Sequence, residues 1–241
     1  MVTISAHTST TVGSAAETPG SFALELTRSL NHELRGALHT VAGFSGLLAR
    51  SPLAEDQQAA LEWIQRATGR MTILLEGVTD VVRAASTPCL GPETVDPLEV
   101  VFEVCSRITP LVEEAEVTVI TAIERDEPVL GEGTAVVEVL ERLLVNALQH
   151  SGASRVVLAV GPGTPGTVRF SVEDTGRGMT EHELNRAFDP FVRFVDPDLE
   201  DGAGVGLTVC RLLVEAMGSK LAAASRPGEG TRLWFELPIR A

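Results

Sequence analysis

Four stretches of the 241-residue chain carry residue types that could do chemistry. His32 is followed directly by Glu33. A carboxylate beside an imidazole can accept the proton of one ring nitrogen and leave the other free as a nucleophile. Asn146 stands in the apolar run Leu143-Leu144-Val145-Asn146-Ala147-Leu148, where an amide is costly unless it finds a partner. It can complete a local hydrogen-bond network or offer its oxygen to Mg2+, which takes oxygen ligands and keeps several waters. Val172-Glu173-Asp174-Thr175-Gly176-Arg177-Gly178-Met179 is a strand-like segment ending in an aspartate and two glycines. A carboxylate there can take the exocyclic amine of adenine, while glycines let backbone approach a ring; a plain strand-to-loop turn reads the same way. Gly202-Ala203-Gly204-Val205-Gly206-Leu207 precedes an amphipathic helix. Free N–H groups at such a helix start suit a phosphate, and a merely flexible loop is the alternative. The glycine spacing and the lack of a preceding strand exclude a Rossmann fingerprint.

These groups need elements to position them. Leu30, Leu34, Ala37, Val41, Phe44 and Leu48 recur in steps of four and three, the seam of a long helix that Ser51-Pro52 ends. Ala60, Ile64, Ala67, Met71, Leu74, Val78, Val81 and Ala85 repeat the pattern. The short break between them predicts an antiparallel helical hairpin. Two helices cannot enclose both stripes together with Trp63, Leu75 and Val82; packing against the rest of the same chain is one solution, and the sustained 3.5 period favours a second copy completing a four-helix bundle. His32 falls about 200° round the helix from the seam and faces outward with Gly36 and His39. Gly36 is an anomaly there, because a mid-helix glycine costs ~1 kcal/mol relative to alanine.

Residues 1–20, rich in Ser, Thr, Ala and Gly, are expected to be a flexible tail. Pro88 and Gly91-Pro92 mark a linker between a hairpin over 21–87 and a second domain over 93–241. In that domain helical patterns run over 97–115, 133–150, 181–187 and 204–217. Strand patterns run over 116–123, 154–161, 167–174, 219–225 and 231–237. The expected class is α+β: the hairpin, then a two-layer sandwich with helices on one face of a mixed sheet.

Composition narrows the function. Thirty-three acidic against 19 basic side chains give a net charge of −14, which argues against nucleic acid or an anionic membrane surface as partner. Lys220 is the only lysine. No apolar run reaches the ~20 residues of a membrane span and no signal-like start is present, so neither membrane insertion nor export is expected. Three scattered cysteines, Cys89, Cys105 and Cys210, suggest reduced thiols in the cytoplasm rather than a disulfide or zinc framework.

In this order, the His-Glu pair on a bundle helix, the asparagine helix, the D-x-G-x-G turn, Phe188 and Phe191, and the G-x-G-x-G helix start resemble the two-component sensor histidine kinases. The resemblance covers about residues 22–238 and includes the closing Ser225-Arg226-Pro227-Gly228-Glu229-Gly230-Thr231. It implies a dimerising phosphoacceptor hairpin and an ATP-binding sandwich of the histidine kinase, gyrase and Hsp90 class. It implies ATP and Mg2+ as cofactors, a homodimer and a response-regulator receiver domain as partner. With no sensory domain in the sequence ahead of the hairpin, either an upstream sensor or regulatory protein brings the signal or the chain is a fragment of something longer. His32 then matches the phosphoacceptor and Glu33 its base. Asn146 matches the Mg2+ ligand and Asp174 the adenine acceptor, with Gly176 and Gly178 shaping the pocket. Phe188 and Phe191 match the aromatic box below a lid over 192–203. Gly202, Gly204, Gly206 and Leu207 match the phosphate-contacting turn, and Arg193 a basic residue reaching the terminal phosphate. Three departures stand out. Gly36 replaces the usual Thr or Asn four residues after the histidine, which implies weak phosphatase activity. Ala37 replaces a proline. Arg142 stands where a second asparagine is common, and Gln149 where a basic residue is. A phosphotransfer or scaffold protein without kinase activity is the alternative, as is a plain ATPase or serine-directed kinase of the same sandwich class.

Overall fold

The computed structural model describes residues 19–86, 93–115, 117–194 and 202–240. The expected tail (apart from residues 19 and 20), the linker with Cys89, and residues 195–201 of the expected lid lie outside the described residues. Two long helices, α1 (Pro19–Leu48) and α2 (Glu55–Ala85), form the hairpin. Glu55 and Asp56 in the first turn of α2 and Arg83 in its last complement the helix dipole.

The apolar stripe of α1 does not face α2. Leu30, Leu34, Val41, Phe44 and Leu48 are all exposed in the single chain, as are Trp63, Ile64, Met71 and Leu74 of α2. The buried hairpin residues are instead Asn31, Ser45, Leu61, Thr68, Gly77 and Ala84. Periodicity tells which residues share a face, and small or hydrogen-bonded residues let the two helices approach on another face. Asn31 Nδ2 donates to Thr79 Oγ1 at 3.1 Å across the pair, fixing the register of α1 on α2.

The second half runs β1 (Glu93–Val95), α3 (Pro97–Ala115), β2 (Thr118–Ile123), β3 (Val129–Gly131), α4 (Gly133–His150), β4 (Arg155–Pro162), β5 (Thr167–Asp174), α5 (Glu181–Arg186), α6 (Gly206–Ala216), β6 (Ala222–Arg226) and β7 (Gly230–Pro238). The main sheet has the order β2-β4-β5-β7-β6, with β2 and β4 parallel and the other pairs antiparallel. β1 and β3 form a separate antiparallel pair. Alternation along the strands sends Val156, Leu158 and Val160, then Val168, Phe170 and Val172, then Leu233, Phe235 and Leu237 to one face. Phe170 and Phe235 sit opposite each other and stack with centroids 5.4 Å apart. The apolar faces of α3, α4 and α6 cover that side through Val104, Ile108, Val139, Leu140, Leu143, Val209 and Leu213. Val81 and Ala84 of α2 join the same core, so the end of the hairpin is packed on the sandwich. Cys210 is fully buried there, and burial pushes its thiol up to about 12. No helix among the described residues is long and apolar enough to cross a membrane.

Glu236 on β7 ties down the β4–β5 loop. Its carboxylate accepts the Thr164 N–H at 2.9 Å, the Thr164 and Thr167 hydroxyls at 2.7 and 2.8 Å, and Arg169 Nη2 at 2.7 Å. The Thr164 N–H leads these in holding the carboxyl down at about 2. A depressed carboxyl contributes stability above its unfolded value, ~4.3 for Glu, and loses it as pH falls through the folded one. A Glu236→Gln chain is therefore expected to melt below the parent at pH 7, with the gap closing as pH is lowered from about 4 towards 2. Melting curves at pH 7, 4 and 2.5 check this, and a constant gap would contradict it.

Candidate functional site

α4 is amphipathic for a reason beyond packing. Its N-cap Glu132 accepts the N–H groups of Thr134 and Ala135. One face carries the buried Val136, Val139, Leu140, Leu143 and Leu144. Another carries Glu138, Arg142, Asn146 and Gln149 at helical spacing, and all four line a cleft of about 1160 Å³. α2 forms the opposite wall through Ile73, Glu76, Gly77, Asp80 and Arg83.

Asp174 ends β5 at the floor of this cleft, and only 6% of it is exposed. Its Oδ1 accepts the Gly176 N–H at 2.8 Å. Burial pushes its carboxyl above the ordinary value, opposed by the N–H groups of Gly176 and Thr231 and by the Ser151 hydroxyl. The following loop is clamped on both sides. Arg177 N donates to the Ser151 carbonyl at 2.8 Å, and Gly228 N to the Arg177 carbonyl at 2.7 Å. Gly178 is in the left-handed region at φ 65°, where a Cβ would also collide with the Arg226 carbonyl. A Cβ on Gly176 would strike Ser151. Space requires glycine at both positions, and conformation requires it at Gly178 as well. Arg177 pairs with Glu183 of α5 at 3.1 Å, and α5 itself is capped by Thr180.

The glycine turn forms the third side. Gly202 and Gly204 have φ of 134° and 70°, and α6 starts at Gly206, with its N-terminus opening into the cleft. The Gly204 carbonyl accepts the Phe191 N–H at 2.9 Å, which ties the turn to the base of the expected lid. Phe191 takes a left-handed φ of 63°, the sole non-glycine to do so among the described residues. Such a conformation is strained and persists only where its surroundings fix it.

Of the residues predicted from the sequence, Asn146, Asp174, Gly178, Arg193, Gly202, Gly204, Gly206 and Leu207 come together around this one cleft. Gly176 is buried just behind it. Phe188 packs against the core and its carbonyl accepts the Thr208 hydroxyl at 3.0 Å, whereas Phe191 is half exposed; neither lines the cleft. His32 and Glu33 are exposed on α1 and also lie off it. The Asn31–Thr79 bond nevertheless puts His32 at the level of Asp80, a residue of the cleft wall.

Sequence reasoning missed the α2 wall. Arg83 makes a two-pronged pair with Glu138, at 3.1 and 2.5 Å. Arg142 Nη2 reaches Asp80 Oδ2 at 2.9 Å, and its Nε reaches Glu138 Oε1 at 3.1 Å. Burial raises the Glu138 carboxyl, but the Arg83 hydrogen bond and the Arg142 charge outweigh it and hold Glu138 below its ordinary value. The one signal for this contact was Arg142 itself, a charged residue on the asparagine helix.

Comparisons with known proteins agree with this architecture. Residues 23–87 match the His Kinase A (phospho-acceptor) domain. Residues 131–241 match the histidine kinase-, DNA gyrase B- and HSP90-like ATPase domain. The autoinducer 2 sensor kinase/phosphatase LuxQ of Vibrio cholerae is 30% identical over 232 residues, which is 93% of this chain and 27% of that protein. The hybrid signal transduction protein dokA of Dictyostelium discoideum is 28% identical over 226 residues, 88% of this chain and 14% of that protein. The chain thus spans less than a third of either relative. Among solved structures, full-length ShkA in complex with AMPPNP matches 90% of this chain and 46% of its own, with a TM-score of 0.68 and 27% identity. The histidine kinase AdeS of Acinetobacter baumannii shares the fold, with a TM-score of 0.60 over 87% of this chain and 98% of its own at 18% identity. A phosphoacceptor hairpin joined to a nucleotide-binding sandwich, with relatives of this kind along nearly the whole chain, makes the protein a member of the two-component sensor histidine kinase family.

Proposed function

We propose that this protein is an ATP- and Mg2+-dependent histidine autokinase that phosphorylates His32 and passes the phosphoryl group to an aspartate of a response-regulator receiver domain. One observation carries the reading: a cleft built from Asn146, Asp174 and the glycine turn is walled by the hairpin at the level of His32. The working units are then the hairpin over 21–87 and the catalytic unit over 93–241.

Asp174 accepts the adenine amine, with Gly176 and Gly178 keeping the backbone out of the ring's way. The N–H groups of the turn Gly202–Leu207 and the α6 dipole hold phosphate oxygens. Arg193, at the start of the lid, reaches the terminal phosphate. Phe188 and the strained Phe191 brace the lid base. Asn146 fits a Mg2+ site, since it lines the same cleft as the glycine turn and its amide offers the oxygen that Mg2+ takes. An ion held there would rest on one amide, phosphates and water, and would neutralise charge on the transferring phosphoryl group.

The chemical step is an in-line displacement. A His32 ring nitrogen forms the N–P bond as the bond from γ-phosphorus to the β–γ bridging oxygen breaks, and ADP leaves. Glu33 takes the proton from the other ring nitrogen. His32 lies off the cleft of its own chain, so transfer within one chain requires the catalytic unit to move towards it. Positioning and charge neutralisation supply most of the rate.

The exposed apolar faces of α1 and α2 support a homodimer, because Leu34, Phe44, Trp63 and Met71 on a lone hairpin would form a large wetted patch. The acidic charge and the absence of a long apolar helix among the described residues support a cytoplasmic location. At Gly36 no side chain is present to position water, so dephosphorylation of the partner is expected to be weak. The deciding experiment is incubation with γ-labelled ATP with and without Mg2+, followed by addition of receiver domains. Acid-labile label that needs Mg2+, moves to a receiver and then decays slowly is expected. Failure to label, or a monomer's mass in solution, would overturn the corresponding part.

A further inference from the structure

Arg142 is shared between two surfaces. It sits one helical turn before Asn146 on the face of α4 that lines the nucleotide cleft, and it reaches out of its own unit to Asp80 of the hairpin at 2.9 Å. Its second partner is Glu138, one turn earlier on α4, which also receives Arg83 of α2. Asp80, Arg83, Glu138 and Arg142 thus form one alternating chain of charges across the boundary. Three residues before Asp80, the buried Gly77 packs on the phosphate turn itself: a Cβ there would meet Ala203 Cβ at 2.5 Å and Val205 Cγ2 at 3.2 Å. α2 therefore lies against the turn that would cradle the phosphates, and the absence of a side chain at Gly77 is what lets it come so close.

Four arginines of the cleft are already held by carboxylates in this arrangement. Arg83 pairs with Glu138, Arg107 with Glu103 and Glu141, Arg142 with Asp80 and Glu138, and Arg177 with Glu183. Glu76 adds a further carboxylate to the α2 wall. A triphosphate entering this space meets, besides Arg193, arginines that carboxylates already hold, and Arg142 can turn to it only by leaving Asp80. Arg142 is the arginine next to Asn146, and its Asp80 partner belongs to the other unit.

We propose that the Asp80–Arg142 pair is an interdomain latch that competes with the nucleotide's phosphates for Arg142, so that docking of the catalytic unit on α2 and ATP binding oppose each other. The proposal rests on the reading of the cleft as the ATP site. The phosphates pull Arg142 from Asp80, the contact of α2 with the glycine turn loosens, and the catalytic unit is freed to approach a histidine. By linkage, the factor by which the closed latch weakens ATP binding is the factor by which bound ATP weakens the latch.

The test uses the full chain with Mg2+. ATP affinity is measured by calorimetry for the parent, Asp80→Asn and Glu76→Gln. Hydrogen exchange of the α2 segment 73–84 is followed with and without ATP. Asp80→Asn is expected to bind ATP about five- to tenfold more tightly. Glu76→Gln removes the same charge from the same wall without breaking the pair, so its gain is expected to be smaller, less than about twofold. In the parent, ATP should lower the protection of 73–84, and in Asp80→Asn that protection should already be low. An unchanged or weaker ATP affinity in Asp80→Asn, or protection that rises with ATP, would overturn the latch while leaving the ATP site standing. Equal gains from both substitutions would reduce the effect to bulk charge and likewise overturn it. A parent that bound no ATP would overturn the functional reading and the latch with it.

Discussion

A His32→Gln chain is expected to bind ATP as tightly as the parent and to carry no acid-labile phosphate. His32 is exposed on α1 and lies off the cleft, so replacing it removes the acceptor without touching the nucleotide site. A surface substitution of this kind also leaves stability within about 0.5 kcal/mol. Glutamine keeps a similar size and polarity but has no nucleophilic ring nitrogen, so labelling should fall to background. Glu33→Gln supplies the graded companion. It leaves the nucleophile in place and removes the proton acceptor, a loss of roughly 10²–10⁴ in rate for general-base catalysis. Labelling time courses with γ-labelled ATP, run beside ATP titrations of the same three proteins, separate these effects. Label that persisted in His32→Gln would move the acceptor elsewhere, with His39 on the same exposed helix the first place to look. Weakened ATP binding in His32→Gln would mean that the histidine reaches the cleft in the free protein, contrary to the present geometry.

The contrast between His32 and the cleft shows which parts of this molecule can be read from sequence. The spans of α3 and α4, 97–115 and 133–150, match the helical patterns because both helices bury one continuous apolar face on a single sheet. β5 ends at Asp174 and the loop beyond it needs glycine, because the clamp between Ser151 and Arg226 leaves no room for a Cβ. Here local sequence and local space state the same constraint. β1 and β3 escaped, since three residues cannot show a period. The α1 stripe was legible as an apolar face but not as a face turned away from α2. Asn31 and Thr79, which bond across the actual contact, and the buried Ser45 give no hydrophobic signal. The ion pairs from Asp80 and Arg83 to α4 join residues more than 50 positions apart. No periodicity encodes them, and only the folded chain brings them together.

An Asp174→Asn chain should keep its fold and lose most of its ATP affinity. Burial raises the Asp174 carboxyl above its ordinary value, which means the folded state penalises the charged form. The sign differs from that of Glu236. The penalty is present above the folded value, shrinks as pH falls, and has vanished once pH is below the unfolded ~3.9. A neutral amide of the same shape removes that penalty at pH 7, so the melting temperature without nucleotide is expected to match or exceed the parent's. Binding should behave in the opposite way. One carboxylate oxygen already accepts the Gly176 N–H at 2.8 Å, and an amide has only one oxygen to offer. If that oxygen stays with Gly176, the NH2 group faces the adenine amine, donor against donor. If it turns to adenine, the NH2 group faces the Gly176 N–H. Either way a charge-assisted hydrogen bond is lost, worth about 1.5–3 kcal/mol, or roughly ten- to 150-fold in affinity. Melting curves with and without saturating ATP provide the check: the parent should gain stability from ATP, and Asp174→Asn should gain little while starting at least as high. An undiminished ATP-induced shift would remove Asp174 from the adenine site. A collapse of the nucleotide-free melting temperature would instead make the carboxylate a structural element of the β5 turn.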